Sequence, residues 1–256
     1  MGDKELDFGF IVEKTFGVIG ERFVELILLA LIFVIVPQIV LSFLISSMFD
    51  SAVASGSMMP TFSLGMMLGS IVAGLLPLLM QAAAVHTTVE ALTGRPSDVG
   101  TSVGVAIAVF LPLLGLSILM GLGLAIGFML LIIPGLILLT YWVVAVPSFI
   151  VEDTGIIGAF ERSAELTKGQ RWRIFGLIVL VWIAYAVVAY IITMLTGGAM
   201  ASAAYAQNFT LMGAIVNGVL GALSAIVGSV GVAVLYVHLR DLQDGTSLDT
   251  ISDVFR

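Results

Sequence analysis

Residues 99–151 read VGTSVGVAIAVFLPLLGLSILMGLGLAIGFMLLIIPGLILLTYWVVAVPSFIV, 53 residues without a charge. At 1.5 Å of rise per residue and about 30 Å of hydrocarbon, one membrane span needs roughly 20 residues. The stretch is too long for one span and suits two. Other uncharged runs cover 26–49, 51–89 and 174–239, of 24, 39 and 66 residues. They hold one, one and two spans. The sequence therefore predicts an all-α integral membrane protein with six transmembrane helices, at approximately 24–48, 62–89, 102–122, 132–151, 174–196 and 211–238.

With six spans threaded, all ten Lys and Arg residues fall on one face: Lys4, Lys14, Arg22, Arg95, Arg162, Lys168, Arg171, Arg173, Arg240 and Arg256. Short loops rich in Lys and Arg stay inside, so that face, with both termini, is expected to be cytoplasmic in a cell membrane. Sixteen of the 17 carboxylates share it, Asp50 alone lying opposite, and its net charge is −6 (10 − 16). A general polybasic attraction to anionic lipid is thus not expected.

Composition agrees. Sixty per cent of residues are apolar and 11% charged, against about 25% charged in soluble domains. The chain has no Cys, which removes disulfides, thiol nucleophiles and Cys-based metal sites. Segments 1–25 and 152–173 are the longest outside the spans and too short for a core of their own. The 256 residues make a single transmembrane domain.

Two segments read as interfacial helices. Residues 7–23 set Phe8, Ile11, Phe16, Ile19 and Phe23 at helical spacing, with Glu13, Lys14, Glu21 and Arg22 largely between them. In the loop between spans four and five, Ile156, Ile157, Phe160, Ala164 and Leu166 do the same. Spans three and four are separated in the region from Gly121, Gly123 and Gly127 to Pro134–Gly135, with Pro134 suited to a first helical turn. Pro37, Pro77, Pro112 and Pro147 should each kink a span. Gln38 and Gln81, near two of them, either satisfy the freed carbonyls or face a polar cavity.

Span six carries Gly218, Gly221, Ala225 and Gly228 on one face. Small residues let helix backbones approach closely in lipid. Span six is therefore expected to pack tightest, with the lining of a narrow path or lipid groove as the other reading.

The stretch from Pro134 to Arg173 also carries a pattern: Pro134–Gly135, Pro147, Glu152, Gly155, Ala159, Arg162–Ser163, Leu166, Lys168–Gly169 and Trp172. It resembles the membrane domain of glycerophosphoryl diester phosphodiesterase and its free-standing six-span relatives. FGFIVEKTFGVIGERF at the N-terminus, Thr93–Gly94–Arg95–Pro96–Ser97 and Leu239–Arg240–Asp241 fit the same picture. In that family the hydrolase belongs to a separate soluble barrel with histidine and acidic metal ligands. The resemblance implies a membrane fold and location without that activity.

Read from the residues alone, Glu152 and Arg162 pair across a turn at the dielectric boundary. Arg162, Lys168, Arg171 and Arg173, with Trp172 as anchor, are candidates for an anionic lipid headgroup; the alternative is snorkelling and topology setting. His86 with Glu90, and His238 with Asp241, could gather at the inner surface as a metal or proton site. Otherwise they are two histidines at helix ends.

No GxSxG, GxxxxGK[ST] or HExxH motif occurs. The chain is expected to be no enzyme, to use no cofactor and to bind no nucleic acid. A membrane scaffold binding lipid or a protein partner, or its own copies, is the first reading. A transporter or channel for a small or lipidic substrate is the alternative, and a membrane enzyme comes last.

Overall fold

The computed structural model describes residues 6–54, 64–195 and 211–245. These form α1 (Phe8–Glu21), α2 (Phe23–Ala30), a π turn (Leu31–Ile35), α3 (Val36–Ala54) and α4 (Leu64–Leu92). They continue with α5 (Val99–Leu130), α6 (Ile132–Trp142), α7 (Ala145–Glu152), α8 (Gly155–Leu166), α9 (Arg171–Leu195) and α10 (Leu211–Asp244). No strand occurs among the described residues. Six stretches are long and apolar enough to cross a membrane: Phe23–Ile45, Met67–Leu92, Val99–Leu130, Ile132–Glu152, Arg171–Val188 and Asn217–Asp244. The protein is a polytopic, six-span membrane protein.

Local chemistry sets the ends. Asp7 and Asp98 cap α1 and α5, accepting from the backbone N–H of Phe10 and Thr101. The Thr101 bonds hold the Asp98 carboxyl below its ordinary pKa. α4 closes on Gly94 at φ +69°, with Gly94 N–H donating to Ala91 O and Arg95 N–H to Glu90 O. That left-handed position suits a residue without Cβ.

One of the four prolines, Pro147, acts differently from expectation. Pro37 follows a π turn in which Val36 N–H donates to Leu31 O, and the extra residue makes room for its ring. Pro77 and Pro112 sit inside α4 and α5. Pro147 lies in the first turn of α7, because span four breaks at Val143–Val144 rather than kinking. Gln38 and Gln81 are half-buried.

The boundary between spans three and four also moves. α5 runs unbroken through Gly121, Gly123 and Gly127 to Leu130, and one extended residue, Leu131, separates it from α6. Gly123 and Gly127 face its partner, whereas Gly121 is exposed and has open space beside it. A Cβ on Gly127 would lie 3.0 Å from Gly135 Cα, and one on Gly123 would lie 2.5 Å from the Trp142 ring. At the other apolar hairpin, α3 continues to Ala54, past the expected end of span one near residue 48. Residues 55–63 and 196–210, which include most of the expected outer loops, fall outside the described set.

α4 and α10 form the centre. Met80, Ala82, Ala83, Ala84, Val85, Thr87 and Thr88 are fully buried on α4, as are Val230, Ala233 and Tyr236 on α10. Three successive alanines let α5 and α10 close around α4. α1 packs Ile11, Thr15 and Val18 inward, chiefly against α10. α9 is held at its base by Ile174 and Leu177.

Candidate functional site

The polar side chains meet mainly at one end of the bundle, and α8 organises them. α7 ends at Glu152; the chain turns through Asp153 (φ +48°) and Gly155 (φ +71°) and returns as α8. Ala159, Ser163 and Leu166 form the fully buried face of α8. Ser163 Oγ donates to Tyr141 O at 2.8 Å. That carbonyl belongs to the last turn of α6, where the helix supplies no partner. Ser148 and Thr140 hydroxyls donate locally, to Val144 O at 2.8 Å and Ile137 O at 2.7 Å. The break in span four is thus covered by the Ser163 hydroxyl, with the Trp142 ring tilted against Phe160 at 4.8 Å.

An ion network joins α7, α8 and α10. Arg162 Nε donates to Glu152 Oε2 at 2.8 Å, and Arg162 Nη2 donates to Asp244 Oδ2. Tyr236 OH donates to Glu152 Oε1 at 2.7 Å. Arg240 Nε lies 3.8 Å from Glu152 and 3.7 Å from Asp244, close in charge without a good hydrogen bond. Burial opposes the Arg162 charge, yet its bonds to Asp244 and Glu152 outweigh that and raise its pKa. Gln243 Nε2 donates to Lys168 O at 2.7 Å, tying the α8–α9 turn to α10, and Gly169 (φ +82°) shapes that turn.

A family model, the membrane domain of glycerophosphoryl diester phosphodiesterase, matches residues 114–249, just over half of the chain. The chain belongs to this family. The match begins within α5 and holds the rest of that helix, α6, this clasp, α9 and all of α10, and leaves α1 to α4 outside. No curated protein and no solved structure matches the chain.

The family-like residues thus have structural positions: Glu152 and Arg162 in the network, Ala159 and Ser163 against span four, Gly155 and Gly169 at positive φ. The headgroup cluster does not assemble. Arg162 is held by two carboxylates. Arg171 donates to Tyr141 OH at 2.6 Å and Ala164 O at 3.2 Å, with its guanidinium 3.6 Å from the Tyr141 ring centre. Arg173 reaches Leu6 O at 3.5 Å. Of the five residues expected to converge, Lys168 and Trp172 face outward, Trp172 at 86% exposure.

The histidines do not meet as a metal site either. His86 Nδ1 lies 3.2 Å from Ser102 Oγ, and His238 packs on Phe10 at 4.9 Å. Among the described residues no group of three or more His, Asp or Glu could hold a metal ion. On α10, a Cβ added to Gly218 or Gly221 would lie 3.5 Å from Ile35 or Val34, Ala225 is half-buried, and Gly228 is exposed, with nothing within 4 Å of its Cβ position. The small residues expected to form one packing face turn gradually out of it, since their spacing drifts from the buried line Ala222, Ile226, Ser229 and Ala233.

Tyr236 and Asp244 were missed as partners of the loop. Their signal is the spacing of Tyr236, Arg240 and Asp244, four apart, a polar stripe at the charged end of an apolar helix. A second anchor, also missed, joins α2 to the 93–98 turn: Arg22 donates to Glu25 at 3.2 Å and Arg95 O at 2.7 Å, and Ser97 Oγ donates to Glu25 at 2.7 Å.

Proposed function

We propose that the protein is a non-catalytic scaffold of the cell membrane that binds lipid and, through its apolar surface, protein partners or further copies of itself. The observation that carries this reading is the clasp. The polar groups of the family-like loop are spent on holding α6, α7, α8 and α10 together, which suits a module whose task is its own shape. The charged end faces the cytoplasm in this reading, with α1 and α8 at the interface. A single cysteine at Lys168 is then expected to react with an impermeant thiol reagent only after the cells are opened. Reaction in intact cells would invert the topology. Ser163 is no reporter, being buried and bonded to Tyr141.

Lys168 beside exposed Trp172 is the place for an anionic headgroup. One surface cation contributes about 1 kcal/mol to such attraction, or about fivefold in retained anionic lipid. Lys168→Gln is expected to lower co-purified anionic lipid by that factor in native mass spectrometry, and unchanged lipid would remove the site. The second reading, transport, is favoured by one observation, the break in span four, since broken spans build transporter sites. Solute flux into reconstituted vesicles well above that of empty vesicles would favour it over the scaffold.

A further inference from the structure

Buried hydroxyls in this protein commonly turn back on their own chain. Thr15, Thr88, Ser148 and Thr167 each donate to the carbonyl four residues earlier, at 2.6–2.9 Å. Ser42 does not. It lies within span one and is 6% exposed, and among the described residues no hydrogen bond reaches its hydroxyl. The amide of Gln38, one turn earlier and half-buried, is equally unbonded. It therefore satisfies no carbonyl freed by Pro37, the first role expected of it. Neither side chain has its polar atoms sealed off, so both border open space.

Two contacts fix where that space lies. Leu41 meets α4, with its Cδ1 3.7 Å from the Cβ position of Gly69. Ile35 meets α10, with its Cα 3.5 Å from the Cβ position of Gly218. At about 100° per residue, Gln38 projects midway between those two directions and Ser42 about 20° from that of Ile35. α4 and α10 also pack on each other. The amide and the hydroxyl thus look into the seam where three spans meet, and glycines stand on the two facing walls. Gln81 is unbonded as well, but it sits about 18 Å further along α4 than Gly69, too far to share a small ligand with Gln38. The seam is free of charge. No Asp, Glu, Lys or Arg lies in span one between Glu25 and Asp50, on α4 before Glu90 or on α10 before Arg240.

We infer that this seam is a binding pocket for a small uncharged ligand that both donates and accepts hydrogen bonds. A glutamine amide offers two donors and an acceptor, and a serine hydroxyl offers one donor and two lone pairs. Left unpaired at membrane depth such groups are costly, and a neutral amide or hydroxyl compound, displacing water, meets both kinds. An ion finds no opposite charge there. The inference goes beyond the scaffold reading and does not depend on it.

The test uses the full chain, which has no natural cysteine, in phosphatidylcholine vesicles. A thiol reacts as its thiolate, which forms where water reaches it. Ser42→Cys is expected to react with a water-soluble methanethiosulfonate roughly tenfold faster, or more, than Phe43→Cys, whose position is 72% exposed and points away from the seam. Acetamide should slow the Ser42→Cys reaction severalfold, and sodium acetate at the same concentration should not. Gln38→Leu should remove the protection by acetamide with the melting temperature kept or raised, while Gln38→Asn should retain part of the protection. Equal rates at Ser42→Cys and Phe43→Cys would mean a seam that is dry or filled by an acyl chain, and would overturn the pocket. Absent protection by acetamide, or equal protection by acetate, would overturn the ligand class. A Gln38→Leu protein that unfolds would show the amide to be structural and overturn its role in binding. The Lys168→Gln lipid measurement bears on the scaffold reading alone, so either proposal can fail without the other.

Discussion

Glu152→Ala is expected to destabilise the protein by about 3–5 kcal/mol, the largest effect of any single change at the clasp. The carboxylate accepts from Arg162 at 2.8 Å and from Tyr236 at 2.7 Å, and it faces Arg240 at 3.8 Å. The side chains of Glu152, Arg162 and Arg240 are 14%, 20% and 12% exposed, so water cannot easily replace what is lost. Removing Glu152 leaves the two guanidiniums to Asp244 and, 3.8 Å from Arg162, the exposed Glu165, and takes away the acceptor of the Tyr236 hydroxyl proton. Glu152→Gln keeps an acceptor for Tyr236 and should cost less. Arg162→Ala added to Glu152→Ala should cost less than the sum of the two, because the second change removes a charge the first has orphaned. Unfolding in detergent decides. If Glu152→Ala costs no more than Glu161→Ala, at an exposed position of the same loop, the network contributes little.

Much of this architecture was legible in sequence because a bilayer imposes one coarse rule, uncharged runs of a certain length. Four runs gave six spans. Side-chain placement followed no such rule. Arg162 and Arg171 look alike as loop cations, yet one is held by Glu152 and Asp244 and the other by Tyr141. The Asp244 and Tyr141 contacts come from elements far away in the chain, and nothing local announces them. The break in span four was hidden for a related reason. Pro147 reads equally as a kink inside a helix or as the first turn of a new one, and Ser163, 16 residues on, covers a carbonyl there. Glu152–Arg162 was readable because both partners flank a single turn.

Gly127→Leu is expected to cost about 1–3 kcal/mol or more, whereas Gly228→Leu should change stability by less than about 0.5 kcal/mol. In a membrane no hydrophobic force pulls helices together, so α5 and α6 are held by the dispersion contacts that close approach allows. At Gly127 an added Cβ would lie 3.0 Å from Gly135 Cα and Leu138 Cδ1 and 3.2 Å from Gly135 N; the leucine tip can turn, but the backbone cannot swing aside. A leucine there forces the two helices apart along their length. Gly123→Leu should follow, since its Cβ would strike the Trp142 ring at 2.5 Å and pull Trp142 off Phe160. Gly135→Ala should be milder. Its clash is with the ring of Phe128, which is 43% exposed and free to turn into lipid. Sequence alone placed the critical small residues on α10, where four of them share a face. The decisive distinction is which small residue has a backbone opposite it, and Gly228 has only open space. Melting in detergent of the four variants tests the order. Equal tolerance at Gly127 and Gly228 would mean that the α5–α6 hairpin is not closely packed.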